Sequence, residues 1–294
     1  MQDRTKLGAL PRPKDERDIL LGKVQAPVSI PATFLPDNSW LQRNFQGETP
    51  FCGEHAGTHL KAILEHQDNG STPRFTPRFG AIKIKDPKSS VYDGFPIDAG
   101  TTMTAIFTWL KMIGADSYEP LENDVTLSLP TYCDPSVVSE DMGLDATNHK
   151  IISYAFDALT FEDLQQAIYQ NKAVLILIKC DDGFWGTATP TFTTPTDGHF
   201  VVADGYSADS IRVIDSADPN PAFAIKMINK QYITPEFFYE SGTALDVPLA
   251  QLQAIVSQAS QVAEQIPQSD ATVPQKESLE EKVEEIIEDV EQIL

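Results

Sequence analysis

The hydrophobic pattern of this chain changes period part-way along. From Cys52, apolar positions recur at Ala56, Leu60 and Ile63, with Leu64 beside them, a spacing that predicts a helix from about Cys52 to His66. Met103, Ile106, Phe107 and Leu110 share a second helical face; Thr101 or Thr102 can cap that helix and Gly114 can end it. A third helix is predicted over 160–172, with Thr160 as N-cap and Asp163 three residues on. Then AVLILIKC (173–180) is one continuous apolar run, the mark of a strand buried on both faces. HFVVADGY (199–206) and SIRVIDS (210–216) read as two more strands joined by a tight turn near Ser207–Asp209, and FAIKMINKQYI (223–233) as another. Helices dominate the first half and strands the second, so the expected class is α+β with two lobes.

The remaining segments are irregular or appended. Residues 1–40, rich in Pro and polar groups, read as an extended arm ahead of a domain at 41–246. Residues 67–98 carry four prolines and read as loop, as do residues 115–150. Past residue 247 the composition shifts to an expected helical extension. Leu249, Leu252, Ile255, Val256, Ala259 and Val262 form one stripe, and 267–276 is a polar linker. Leu279, Val283, Ile286, Val290 and Ile293 follow a short heptad seam, which fits either a docked tail or self-association and tethering through 279–294.

Composition narrows the function. The formal charge of -21 argues against a nucleic-acid partner, because phosphate binding needs a positive surface. No stretch approaches the ~18 apolar residues of a membrane span, and the N-terminus lacks the apolar core of a secretory signal. A cytoplasmic protein is expected, in a host cytoplasm or carried with a phage particle. Three cysteines, Cys52, Cys133 and Cys180, are too few for a disulfide framework. His55 and His59 sit four apart on the first helix, a spacing that can chelate a metal, but no third ligand is evident. No metal and no other cofactor is expected.

Four residues carry candidate chemistry. Cys52 starts a helix just after Pro50, where backbone N–H groups and the helix dipole favour a thiolate. His199 opens a hydrophobic strand, and Asp215 ends the next one, so a hairpin brings them together. The carboxylate can then accept an imidazole N–H and fix its tautomer. Gln46, six residues before Cys52, can donate an amide N–H to an oxyanion beside the Cys52 N–H. Trp185, in a loop before His199, is a candidate lining residue for the same cleft.

These motifs resemble papain-like cysteine peptidases of the C1 family, in bacterial and phage forms particularly. Cys52 and His199 are 147 residues apart, within the roughly 130–150 of that family. Gln46-Gly47 with Cys52 at +6, the Gly198-His199-Phe200-Val201-Val202-Ala203-Asp204-Gly205-Tyr206 strand and Asp215-Ser216 match the family pattern over about residues 15–245. The resemblance implies a helical lobe beside an antiparallel barrel-like lobe. It also implies peptide or protein substrates and a Cys-His-Asp triad acting through a thioester. Gly53 departs from the pattern where an aromatic is usual, Asp215 where asparagine is, and Ala217 where a shielding tryptophan is. About 45 residues precede Gln46, few for an inhibitory pro-region, so regulation by its removal is not expected. Two other readings compete: an inactive peptidase fold serving as a binding or structural component, and a transglutaminase-like enzyme or peptidoglycan-directed amidase.

Overall fold

The computed structural model describes residues 8–13, 27–117, 121–157, 160–194 and 197–245, with 257, 260–263, 266 and 276. Two units divide the chain, Met1–Leu245 and Asp246–Leu294. The first contains, in order, β1 (Ala9–Leu10), α1 (Cys52–Asn69), α2 (Pro77–Lys85), β2 (Thr101–Thr102), α3 (Met103–Met112), α4 (Leu129–Tyr132) and α5 (Glu140–Thr147). There follow β3 (Ser153–Asp157), α6 (Phe161–Asn171), β4 (Val174–Cys180), β5 (Asp197–Tyr206), β6 (Ser210–Ile214), β7 (Ile225–Asn229) and β8 (Phe238–Leu245).

The large sheet has the order β3-β8-β4-β5-β6-β7 and is antiparallel throughout. β4 lies inside it between β8 and β5, and Val174 to Ile178 are fully buried. Alternate residues face opposite cores, which is why the run needs no polar positions. Leu175 and Leu177, with Phe200 and Val202 of β5, join the cluster holding Leu60 and Ile63 of α1 and Ile106 and Phe107 of α3. Val174, Ile176 and Ile178, with Val201 and Ala203, join Leu164, Ala167 and Ile168 of α6. Each such side chain contributes about 1.5–3 kcal/mol by leaving water. The sheet does not close: β3 and β7 are its edges, so the barrel-like lobe is an open, layered sheet.

The three helices read from periodicity are present. α1 runs three residues past His66 and ends on Gly70, at φ 72°. Thr102 caps α3, its side chain accepting from Ala105 N, and Thr160 caps α6, accepting from Asp163 N. Three helices lay in stretches read as loop, and β3 lay in the unassigned residues 151–159. α2, α4 and α5 are short, and α2 has Pro77 at its start. β3 pairs with β8, which had no strand-like signature either. Of the appended segment, only residues 257, 260–263, 266 and 276 are described, so the amphipathic stripe and linker are almost wholly outside the described residues, and the 279–294 heptads lie entirely outside them. Among the described residues, no helix is long and apolar enough to cross a membrane.

α1, α2 and α3 meet around Trp109, which is fully buried. A Cβ at Gly80 would stand 2.6–2.8 Å from three atoms of its ring. Gly80→Ala is therefore expected to cost about 1–3 kcal/mol through overpacking, read as a lowered urea midpoint with an unchanged m-value.

Candidate active site

Cys52 is the first residue of α1 and is fully buried. The tip of α1 packs on β5, so the thiol meets the strand that carries the imidazole. The Phe200 N–H, immediately after His199, and the Gly53 N–H favour its thiolate. Burial acts more strongly the other way and, with the nearby Glu54 charge, pushes the thiol up to about 12.

His199 is fully buried, opposite Ile178. Its Nε2 lies 2.9 Å from Asp215 Oδ1. The other ring nitrogen, Nδ1, is buried and makes no hydrogen bond. Asp215 follows β6 and accepts from the Ala217 N–H at 2.8 Å and the Asp218 N–H at 3.2 Å. Burial works to raise its carboxyl. The His199 contact, the charges of His199 and Lys226 and the Ala217 N–H outweigh that and hold it below the usual range.

Gln46 is buried in the segment ahead of α1 and is tied to the turn after Asp215. Its N–H donates to Ser216 O at 2.9 Å and its Oε1 accepts from Ser216 Oγ at 2.7 Å, while Nε2 donates to Thr49 O at 3.1 Å. Trp185 lies edge-on to His199, with ring centroids 5.4 Å apart. Phe184 does the same at 5.8 Å. Cys52, His199, Asp215, Gln46 and Trp185 thus come from five separate segments to one junction.

No protein-family model and no curated protein sequence matches the chain. Solved structures do. Xylellain, a cysteine protease from Xylella fastidiosa, is 16% identical, with a TM-score of 0.68 over 84% of this chain and 98% of its own. The digestive procathepsin L 3 of Tenebrio molitor larval midgut is 14% identical, with a TM-score of 0.62 over 82% and 77%. The Carica candamarcensis cysteine protease CMS1MS2 is 14% identical, with a TM-score of 0.53 over 74% and 99%. This chain has the papain-like fold.

Within that fold, the departures noted in the sequence find physical reasons. A Cβ at Gly53 would stand 2.7 Å from Ile106 Cδ1 and 2.8 Å from Thr101 Cγ2, so no aromatic fits there. Ala217 leaves the space beside the histidine to Trp185 and Phe184, which arrive from another loop. Lys226, which sequence reasoning missed, is fully buried beneath Asp215 at 3.6 Å and binds Asp218 at 2.9 Å. Its signal was a lysine between Ile225 and Met227, inside a strand-like run. His55 and His59 do not meet at a common site. The His55 ring contacts Phe51 O, His59 Nε2 accepts from Asn44 N, and burial lowers them to about 4 and about 3.

Residues 8–10 of the N-terminal arm lie against β2, the Pro50 backbone and Gly198. β1 pairs in parallel with β2, and Gly8 O accepts from Thr101 N at 2.6 Å. The space a Cβ would take at Gly100 is filled by the Gly8 carbonyl, and that at Gly198 is crowded by Ala9 O at 2.5 Å. Arg12 continues across to Glu240. Residues 8–10 thus run beside Gly198, the neighbour of His199, and beside Pro50, two residues before Cys52.

Glu54, one turn into α1, is fully buried and neither of its carboxylate oxygens has a hydrogen-bond partner. Burial raises it to about 7, with Lys85 opposing. For an acid raised in the fold, ionisation weakens folding as pH climbs from the ordinary 4.5 to about 7, and the full penalty applies above that. Glu54→Gln is expected to be more stable than the parent by up to about 3 kcal/mol near pH 8, the gain vanishing near pH 4. Urea denaturation at the two pH values checks this.

Proposed function

We propose that the chain is a cysteine peptidase in which Cys52 is the nucleophile, His199 the base and Asp215 the group that orients it. The observation that carries this reading is the buried His199–Asp215 contact. With Nε2 engaged at 2.9 Å, the nitrogen left for the thiol is Nδ1, on the strand whose next N–H faces Cys52. His199 Nδ1 takes the Sγ proton, and the thiolate adds to the carbonyl carbon of a peptide bond. The Cys52 N–H and one N–H of Gln46 Nε2 donate to the resulting oxyanion. As the C–N bond breaks, His199 returns the proton to the leaving amine. Water, deprotonated by the same imidazole, then attacks the thioester and releases the acid and the free thiol. Asp215 stays ionised throughout and stabilises the imidazolium.

The burial that lifts the thiol to about 12 fits a resting state with residues 8–10 lying beside Gly198 and Pro50, so substrate has to displace them. Assays on the full chain therefore include Arg12→Ala, which loosens the arm away from the reacting groups.

Turnover of a broad peptide library is the test. Cys52→Ala and His199→Ala are expected to abolish it. Gln46→Ala should lower kcat by about 10²-fold with little change in KM, as loss of an oxyanion donor does. Asp215→Asn should lower kcat, because the imidazolium loses its counter-charge and the amide NH2 replaces an oxygen that accepts from the Asp218 N–H beside Lys226. Turnover that survives Cys52→Ala sinks the reading, and cleavage of peptidoglycan fragments alone redirects it to an amidase.

A further inference from the structure

Lys226 is a cation with no exposure to water. It lies in β7 opposite Val213, two residues before Asp215, so cross-strand pairing puts its side chain on the face that carries the carboxylate. An ammonium has three N–H groups to place. One donates to Asp218 Oδ2 at 2.9 Å and one to Thr187 O at 3.1 Å. Asp215 Oδ2 faces the same nitrogen at 3.6 Å.

These oxygens come from separate segments. Asp218 belongs to the turn that holds Asp215, and Thr187 to the loop that carries Phe184 and Trp185. Asp218 Oδ2 also accepts the Gly186 N–H at 2.8 Å, and the Met227 N–H, next to Lys226, donates to Ala188 O at 2.8 Å. Gly186, Thr187 and Ala188 are thus tied in turn to the lysine's partner, to the lysine and to its neighbour. The ammonium lies 4.8 Å from the centre of the Phe184 ring, and Phe184 stands edge-on to Trp185 with centroids 4.8 Å apart. Both rings rest against the His199 imidazole. Phe184 is buried and Trp185 half-buried, so the indole is a layer between a fully buried imidazole and solvent. An ion pair buried this deeply is costly, and an apolar residue in its place often folds as well. An apolar residue cannot hold a backbone carbonyl and a carboxylate at once.

We propose that Lys226 is a positioning residue for His199: it clamps the Trp185 loop to the Asp215 turn, and the clamped rings keep the imidazole aligned and water off its bond to Asp215. The use of that alignment rests on the peptidase reading, whereas the clamp itself is measured without turnover. Lys226 touches no reacting atom. It acts through Asp215 on one side and through Phe184 and Trp185 on the other.

The proton that His199 Nε2 donates to Asp215 reports on the clamp. In the full chain with isotope-labelled histidine, its NMR resonance is identified by its loss in His199→Gln, and its exchange with water is followed by saturation transfer. Lys226→Met, which keeps the length and removes the charge, is expected to speed that exchange about tenfold or more while the amides of Val174 to Ile178 keep their protection. Trp185→Ala should speed it to a similar extent, and adding Lys226→Met to it should change little, because both act through one loop. Lys226→Met combined with Asp218→Asn removes the carboxylate left without its cation. It should show the same speeding, and it carries the test if the single variant fails to fold. Unchanged exchange, an effect that adds in full to that of Trp185→Ala, an equal loosening of the β4 amides, or a resonance already lost to exchange in the parent overturns the proposal. The expected exchange rates in a parent that hydrolyses no peptide leave the clamp intact and remove the peptidase reading instead. Hydrolysis with unchanged exchange does the reverse.

Discussion

A fully buried imidazole held by a fully buried carboxylate is the constraint around which this molecule is arranged. His199 and Asp215 sit 2.9 Å apart with no exposure to water. Such a contact survives only if the carboxylate's other lone pairs are satisfied and its charge is balanced. The chain supplies both. Two backbone N–H groups cap Asp215, Lys226 approaches from below, and Asp218 takes the other side of the lysine. Arg43, from ahead of α1, donates to the carbonyls of Asp215 and Asp218. The same turn holds Gln46 through Ser216. The pocket that orients the histidine therefore also fixes the amide beside Cys52.

The second demand is close approach. The tip of α1 has to touch β5, and β2 has to pass within reach of both. Gly53 lets Ile106 and Thr101 press on the helix, and Gly100 and Gly198 leave room for the backbone of residues 8–10. Side chains at these positions would hold the two lobes, or the arm, away from the thiol. Gly53, which looked like a departure from a pattern, is thus what lets α3 and β2 pack on the tip of the helix that carries Cys52.

Much of the fold was legible because the signals were local. The β4 run, the α3 and α6 caps and the spacing from Gln46 to Cys52 each reflect a rule that acts within a few residues. The His199–Asp215 contact was legible because a single hairpin joins them. What escaped detection depends on distant partners. β3 and β8 are strands because each completes the other's hydrogen bonds, and SYAFD or FYESGTAL alone carries no period. α2, α4 and α5 are too short, at four to nine residues, for a helical period to repeat clearly. Lys226 has meaning only beside Asp215 and Asp218, which lie eleven and eight residues upstream. The extended arm was visible as Pro-rich sequence, but its pairing with β2 was not, since backbone pairing leaves no trace in composition.

The central claim is that the imidazole of His199 activates the thiol of Cys52. Cys52, Cys133 and Cys180 form no disulfide and all three are buried, so exposure gives none of them an advantage. Alkylation of the native chain by iodoacetamide, mapped by peptide mass at intervals, tests the claim most directly. Cys52 should be modified well ahead of the other two, and His199→Ala should erase its lead. Three cysteines reacting at one rate, or a lead that persists without the histidine, would contradict the account.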